Sequence, residues 1–249
     1  MESSLYILLP AVLLISFAYS SVGLGGGSSY TSLFTILGLS FVLIPTLSLT
    51  LNTVVTASAT VQFARKGHLK AGILLPFVFS SIPMAFFGGS LHLEENTFQI
   101  VLLLSLIAVA ARIYLWKDPI LKLPSSKGFR IGLSVVSGAL LGFVASVVGI
   151  GGGIYLVPLI LLTGIGTARE AAATGAAFIL INSISGLMAR ARFDELPWEL
   201  MLPLAATVFV GGLAGSFFGS SKWAARTIQR VLGVIILTAI VLLAYRIIV

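Results

Sequence analysis

Residues 22–27 read Val-Gly-Leu-Gly-Gly-Gly and residues 148–153 read Val-Gly-Ile-Gly-Gly-Gly, each directly behind a long apolar segment. Glycine lets a helix break and lets a solute approach the backbone itself. A helix starting after Gly27 or Gly153 presents N–H groups with no helical partner and the positive end of its dipole, which suits an anion. This marks Gly25, Gly26, Gly27, Gly151, Gly152 and Gly153 as candidate solute-binding positions. Ser28 and Ser29 add hydroxyls behind the first run, whereas Ile154 and Tyr155 follow the second, so the two half-sites differ. Close helix packing through small residues is the competing reading of one such run. Two runs at matched places favour a solute site. A dinucleotide fingerprint fails in both, because Ser28 and Ile154 stand where its third glycine belongs.

Asn52 and Asn182 fall inside apolar segments and align at an offset of 130. A buried amide in a membrane either bonds a neighbouring helix or helps to hold a polar solute. The acids cluster near segment ends. Glu170, beside Arg169 at a helix start, is the candidate for proton coupling, with a helix cap and ion pair as the alternative. His68 and His92 fall in charged turns. Arg190 and Arg192 end another segment, where arginines serve as topology anchors or draw anions to the mouth of a pathway. With no cysteine there is no disulfide or thiolate chemistry, and no cofactor or metal is expected. The absence of H-E-x-x-H, G-x-S-x-G and paired membrane carboxylates argues against an intramembrane enzyme.

The elements that must position these residues are membrane helices. The chain is 58% hydrophobic and 9% charged, with a mean hydropathy of +1.11, outside the range of a soluble domain of 249 residues. The net charge of +7 sits in turns between apolar segments, as topology signals do, and not along a nucleic-acid-binding face. The segments are expected at 5–22, 28–37, 41–64, 71–90 and 97–116, then at 131–148, 154–163, 168–189, 196–219 and 227–248. The first lacks a basic start and reads as a retained helix, not a signal peptide. At an offset of 126, Phe17 matches Phe143 and Gly38 matches Gly164. The expected fold is thus all-α and polytopic, with a first repeat over 1–116, a cytoplasmic linker over 117–130 and a second repeat over 131–249.

The segments behind the glycines are about half the roughly 20 residues that a crossing needs, so each is a half-helix or re-entrant piece. If each counts as a crossing, the halves hold five segments and the repeat is inverted; if each dips and returns, there are eight crossings and parallel halves. Positive-inside counting places 12 of the 15 basic residues inside in the first arrangement and 11 in the second, too small a difference to decide. Paired broken helices recur in inverted-repeat transporters, which favours inversion. Gly211, Gly215 and Gly219, spaced by four, are expected to pack helices within one subunit. Monomer and homodimer both stay open.

The paired glycine runs behind a first helix in each half, with Pro158 after the second, resemble the sulfite exporter TauE/SafE family of membrane permeases. The likeness spans nearly the whole chain, although Ser32 stands where Pro158 aligns. It implies a carrier in the inner membrane of a bacterium or archaeon, without a prosthetic group, that exports sulfite, organosulfonates or related sulfur-containing or carboxylate anions. Its expected partners are a small anion and the lipid bilayer. An anion channel and a non-transporting scaffold are the alternatives.

Overall fold

The computed structural model describes residues 2–91, 93–115, 126–190 and 198–219, with positions 237, 240, 241 and 244, and every regular element among them is helical. The order is α1 (Glu2–Ser20), α2 (Gly27–Ile36), α3 (Leu43–Arg65), α4 (Ala71–Ser90), α5 (Glu95–Leu115), α6 (Lys127–Val148), α7 (Gly153–Leu162), α8 (Ala168–Arg190) and α9 (Trp198–Gly219). Nine expected segments reappear with their ends moved by a few residues. The largest shift is at α6, which begins inside the stretch assigned to the linker. Ser126 accounts for it: its side chain accepts the Phe129 N–H at 3.3 Å and caps the helix ahead of its apolar residues. Residue 116, residues 117–125 of the linker and most of the tenth segment lie outside the described residues.

The glycine runs break the chain in the same way twice. Gly23 (φ 75°) ends α1, and the Leu24 N–H donates to the Tyr19 carbonyl at 2.9 Å. Gly149 (φ 81°) ends α6, and the Ile150 N–H donates to the Ala145 carbonyl at 2.8 Å. Left-handed glycines commonly close helices in this way, since other residues meet a steric penalty there. Three residues on, Gly26 (φ 98°) and Gly152 (φ 76°) start α2 and α7. Both short helices then close with matching bonds, from the Leu39 N–H to the Phe34 carbonyl at 3.0 Å and from the Ile165 N–H to the Ile160 carbonyl at 3.2 Å. Ten residues make about 15 Å of helix, half of a hydrocarbon core of about 30 Å.

Among the described residues, five helices, namely α3, α4, α6, α8 and α9, are long and apolar enough to cross a membrane. The spans of α3 and α8 are 67% and 72% buried inside the protein, against 28–39% for the others. The two therefore form the centre. Outward positions such as Phe79 and Leu14 are apolar and exposed, as a lipid-facing belt requires.

Helix direction follows from which residues meet. Ala59 and Phe63 of α3 pack with Ala172, Ala173 and Ala176 near the start of α8, whereas Leu49 lies against Gly186 near its end. The central pair runs antiparallel. Gly211, Gly215 and Gly219 of α9 press on the backbone of Leu13, Phe17 and Ser21, so α9 runs parallel to α1. Gly138 and Gly142 of α6 likewise meet Phe77 and Ser81 of α4. Small residues let these backbones approach closely within the chain. One contact is made twice: Gly215 sits on the Phe17 carbonyl and Gly88 on the Phe143 carbonyl, which is the Phe17–Phe143 match read from the sequence.

Candidate functional site

Both glycine runs are buried and meet beside α3. A Cβ on Gly27 would strike the Ile150 carbonyl of the other run and the Asn52 amide; one on Gly25 would strike Asn52 Oδ1. Bare backbone is thus needed for the two runs and Asn52 to share this space. Ser48, one turn before Asn52 on the same helix face, donates from Oγ toward the Gly149 carbonyl at 2.7 Å and the Gly27 carbonyl at 3.2 Å. It ties the runs together. Asn52 Nδ2 donates to the Gly149 carbonyl at 3.3 Å, which leaves Oδ1 facing the first run, fully buried and without a partner among the described residues.

From α8 the same space is bordered by Ile179 and Ser183, both of which approach Gly151. Ser183 Oγ is buried and has no partner among the described residues. A solute here would meet an amide acceptor, a hydroxyl and the N–H groups that open α2, which has no side-chain cap; at the start of α7 the Gly153 N–H is already donated to the Gly151 carbonyl at 3.1 Å. Such a mixed set suits a small oxyanion, above all one that carries an O–H of its own.

The other sequence-derived candidates are placed differently. The hydroxyls of Ser28 and Ser29 are both bonded to the Tyr19 phenol, at 2.9 and 2.8 Å. Asn182 turns back on its own helix, where Nδ2 donates to the Phe178 carbonyl at 2.8 Å, and its Oδ1 is buried without a partner among the described residues. The offset of 130 does not pair the asparagines in space. Gly23 rests on Ala172 and Gly149 on Pro45, and Gly25 and Gly151 each touch Asn52 and Ile179. Between α3 and α8 the equivalent positions are therefore 127 apart: Asn52 corresponds to Ile179 and Ser48 to Gly175. The first half supplies polar groups where the second is apolar or bare.

Glu170 forms a capping box at the start of α8. Its Oε2 accepts the Thr167 N–H at 2.9 Å and lies 2.9 Å from Thr167 Oγ1, while its own N–H donates to that hydroxyl at 3.4 Å. Sequence reading missed Ser48 and Tyr19. For Ser48 a signal existed, since a hydroxyl four residues before a buried asparagine lies on the same helix face.

Long apolar helices around a buried polar centre, two of them broken at that centre, define a multi-pass helical membrane protein. Residues 8–246 match the family described as Sulfite exporter TauE/SafE, nearly the whole chain. The chain belongs to that family. It is also similar to the probable membrane transporter protein y4hK of Sinorhizobium fredii, at 35% identity over 222 residues that cover 86% of this chain and 89% of the relative. No solved structure matches it. The chain is accordingly a membrane transporter, of a permease family and not an enzyme family.

Proposed function

We propose that the chain is a secondary transporter of small anions such as sulfite, organosulfonates or related carboxylates, exporting them across the inner membrane by alternating access. The observation that carries this reading is the meeting of both glycine runs, Ser48 and Asn52 in one buried place between the halves. Substrate sites of carriers lie at such repeat interfaces, where broken helices aim their N-termini at anionic groups. The halves, on this reading, are inverted. Supporting it, α3 and α8 correspond in the two halves and yet run antiparallel, as a two-fold axis perpendicular to both helices would require. Each half would then rock about the Asn52 region. Glu170, in its cap at a helix start, is the acid offered for coupling, with proton exchange near the membrane surface.

Transport into proteoliposomes tests the site. Asn52→Leu keeps the apolar fit of a buried position and removes the amide, so sulfite uptake should fall at least tenfold while the melting temperature stays within a few degrees. Undiminished uptake would remove Asn52 from the site. Saturation and counterflow in the wild type would separate a carrier from a channel.

A further inference from the structure

The first glycine run is short of acceptors. Gly25, Gly26, Gly27 and Ser28 are buried, and their backbone N–H groups meet no acceptor among the described residues. In the second run the N–H groups of Ile150 and Gly151 donate to the Ala145 carbonyl at 2.8 and 3.4 Å, and that of Gly153 donates to the Gly151 carbonyl at 3.1 Å. Buried N–H groups are almost always paired, so a row of unpaired ones marks a place kept for an acceptor from outside the chain.

Beside these donors stands a single orphaned acceptor, Oδ1 of the fully buried Asn52. The other side of the amide fixes it as oxygen: the Gly149 carbonyl, 3.3 Å away, can only accept, so the nitrogen must face it. Oδ1 is turned toward Gly25, where a Cβ would lie 2.3 Å from it. A fully ionised oxyanion has acceptors alone and sets lone pairs against this oxygen. An anion that keeps one O–H supplies the donor that Oδ1 lacks and still offers its other oxygens to the N–H groups. Charge points the same way. None of the side chains nearest the two runs is charged, and the titratable ones by the first run are phenols: Tyr19, bonded to Ser28 and Ser29, and Tyr30, against Gly26. Without a cation to offset it, a second negative charge on the anion adds desolvation cost and gains no partner.

We propose that the central site takes its anion singly protonated, and that Asn52 Oδ1 is the atom that selects for the O–H. This rests on the carrier reading and narrows its substrates to oxyanions with a second ionisable proton, of which sulfite is one and simple sulfonates are not. Gly25 lies close against Oδ1 in this conformation, which is the closed form of the site; the anion enters as α2 and α3 part during the access cycle.

The test measures initial uptake of sulfite, selenite and methanesulfonate into proteoliposomes, at equal pH on both sides and with flux into protein-free vesicles subtracted. Sulfite and selenite share a pyramidal shape, but selenite gives up its second proton at higher pH; methanesulfonate is a monoanion without an O–H. Above the second ionisation of each anion, the half-saturating concentration counted as total anion should rise about tenfold per pH unit, and counted as the singly protonated anion it should stay constant. The selenite rise should therefore begin at higher pH than the sulfite rise. Where sulfite is singly protonated, methanesulfonate should need about tenfold more for half-saturation, or beyond, since it leaves Oδ1 unpaired. In a folded Asn52→Leu protein that preference should vanish from the residual uptake. The proposal is overturned if the sulfite and selenite profiles turn at one pH, which would put the titration on the protein, if methanesulfonate is carried as well as sulfite, or if Asn52→Leu keeps the preference. No saturable uptake of any of the three anions would instead overturn the carrier reading itself.

Discussion

Ser48 holds together two carbonyls of the glycine runs at the centre, those of Gly27 and Gly149. Each keeps a second side-chain donor without it, Thr31 Oγ1 at 2.9 Å for Gly27 and Asn52 Nδ2 at 3.3 Å for Gly149. Ser48→Ala should therefore cost about 0.5–1.5 kcal/mol, the net worth of a typical hydrogen bond, and lower the melting temperature in detergent by a few degrees. An unchanged melting temperature would show that the runs are held by packing alone. The equivalent position in the other half is Gly175, so a fully symmetric reading would not single out Ser48. Asn52 was legible because an amide inside an apolar helix needs a partner. Ser48 was not, because hydroxyls are frequent in α3 and most return to their own helix, as Thr53 and Thr56 do. The apparent match of Asn52 with Asn182 came from an offset of 130. Contacts of Gly23 and Gly149 set it at 127, nearly a full turn away.

At the scale of elements, the short helices were readable because the punctuation is local: a glycine stops α1 or α6, and another starts α2 or α7 three residues on. Which glycines also serve close approach was not readable, since that depends on the helix opposite. The two roles separate experimentally. Gly38 (φ 72°) has open space around a would-be Cβ, so Gly38→Ala meets only the left-handed backbone penalty of roughly 1–2 kcal/mol. Gly149 (φ 81°) has the same backbone demand, and its Cβ would come within 2.7 Å of Pro45 Cα. Gly149→Ala should accordingly lower the melting temperature at least twice as far as Gly38→Ala. Equal losses would mean that α3 can yield at Pro45, and the tight contact between the second run and α3 would lose its support.

For the whole molecule, the nine segments among the described residues were legible from hydropathy, but their directions were not, because charge counting separated the two arrangements by a single residue. The antiparallel pairing of α3 with α8 and the parallel pairings of α1 with α9 and α4 with α6 supply the missing constraint. Follow the chain on these directions: the turn between α2 and α3, holding Ser40, lies at one end of the bundle. The start of α8, holding Arg169 in its first turn, lies at the other, together with Lys66 after α3. Ser40, Arg169 and Lys66 are all exposed. Parallel halves would instead put Ser40 and Arg169 on one side. The chain has no cysteine, so single cysteines report without background. In intact cells, a membrane-impermeant maleimide should label Ser40→Cys, and should label Arg169→Cys and Lys66→Cys only after permeabilisation. Labelling of Ser40→Cys and Arg169→Cys under the same condition would break the inverted arrangement, and alternating access by rocking of inverted halves would fall with it.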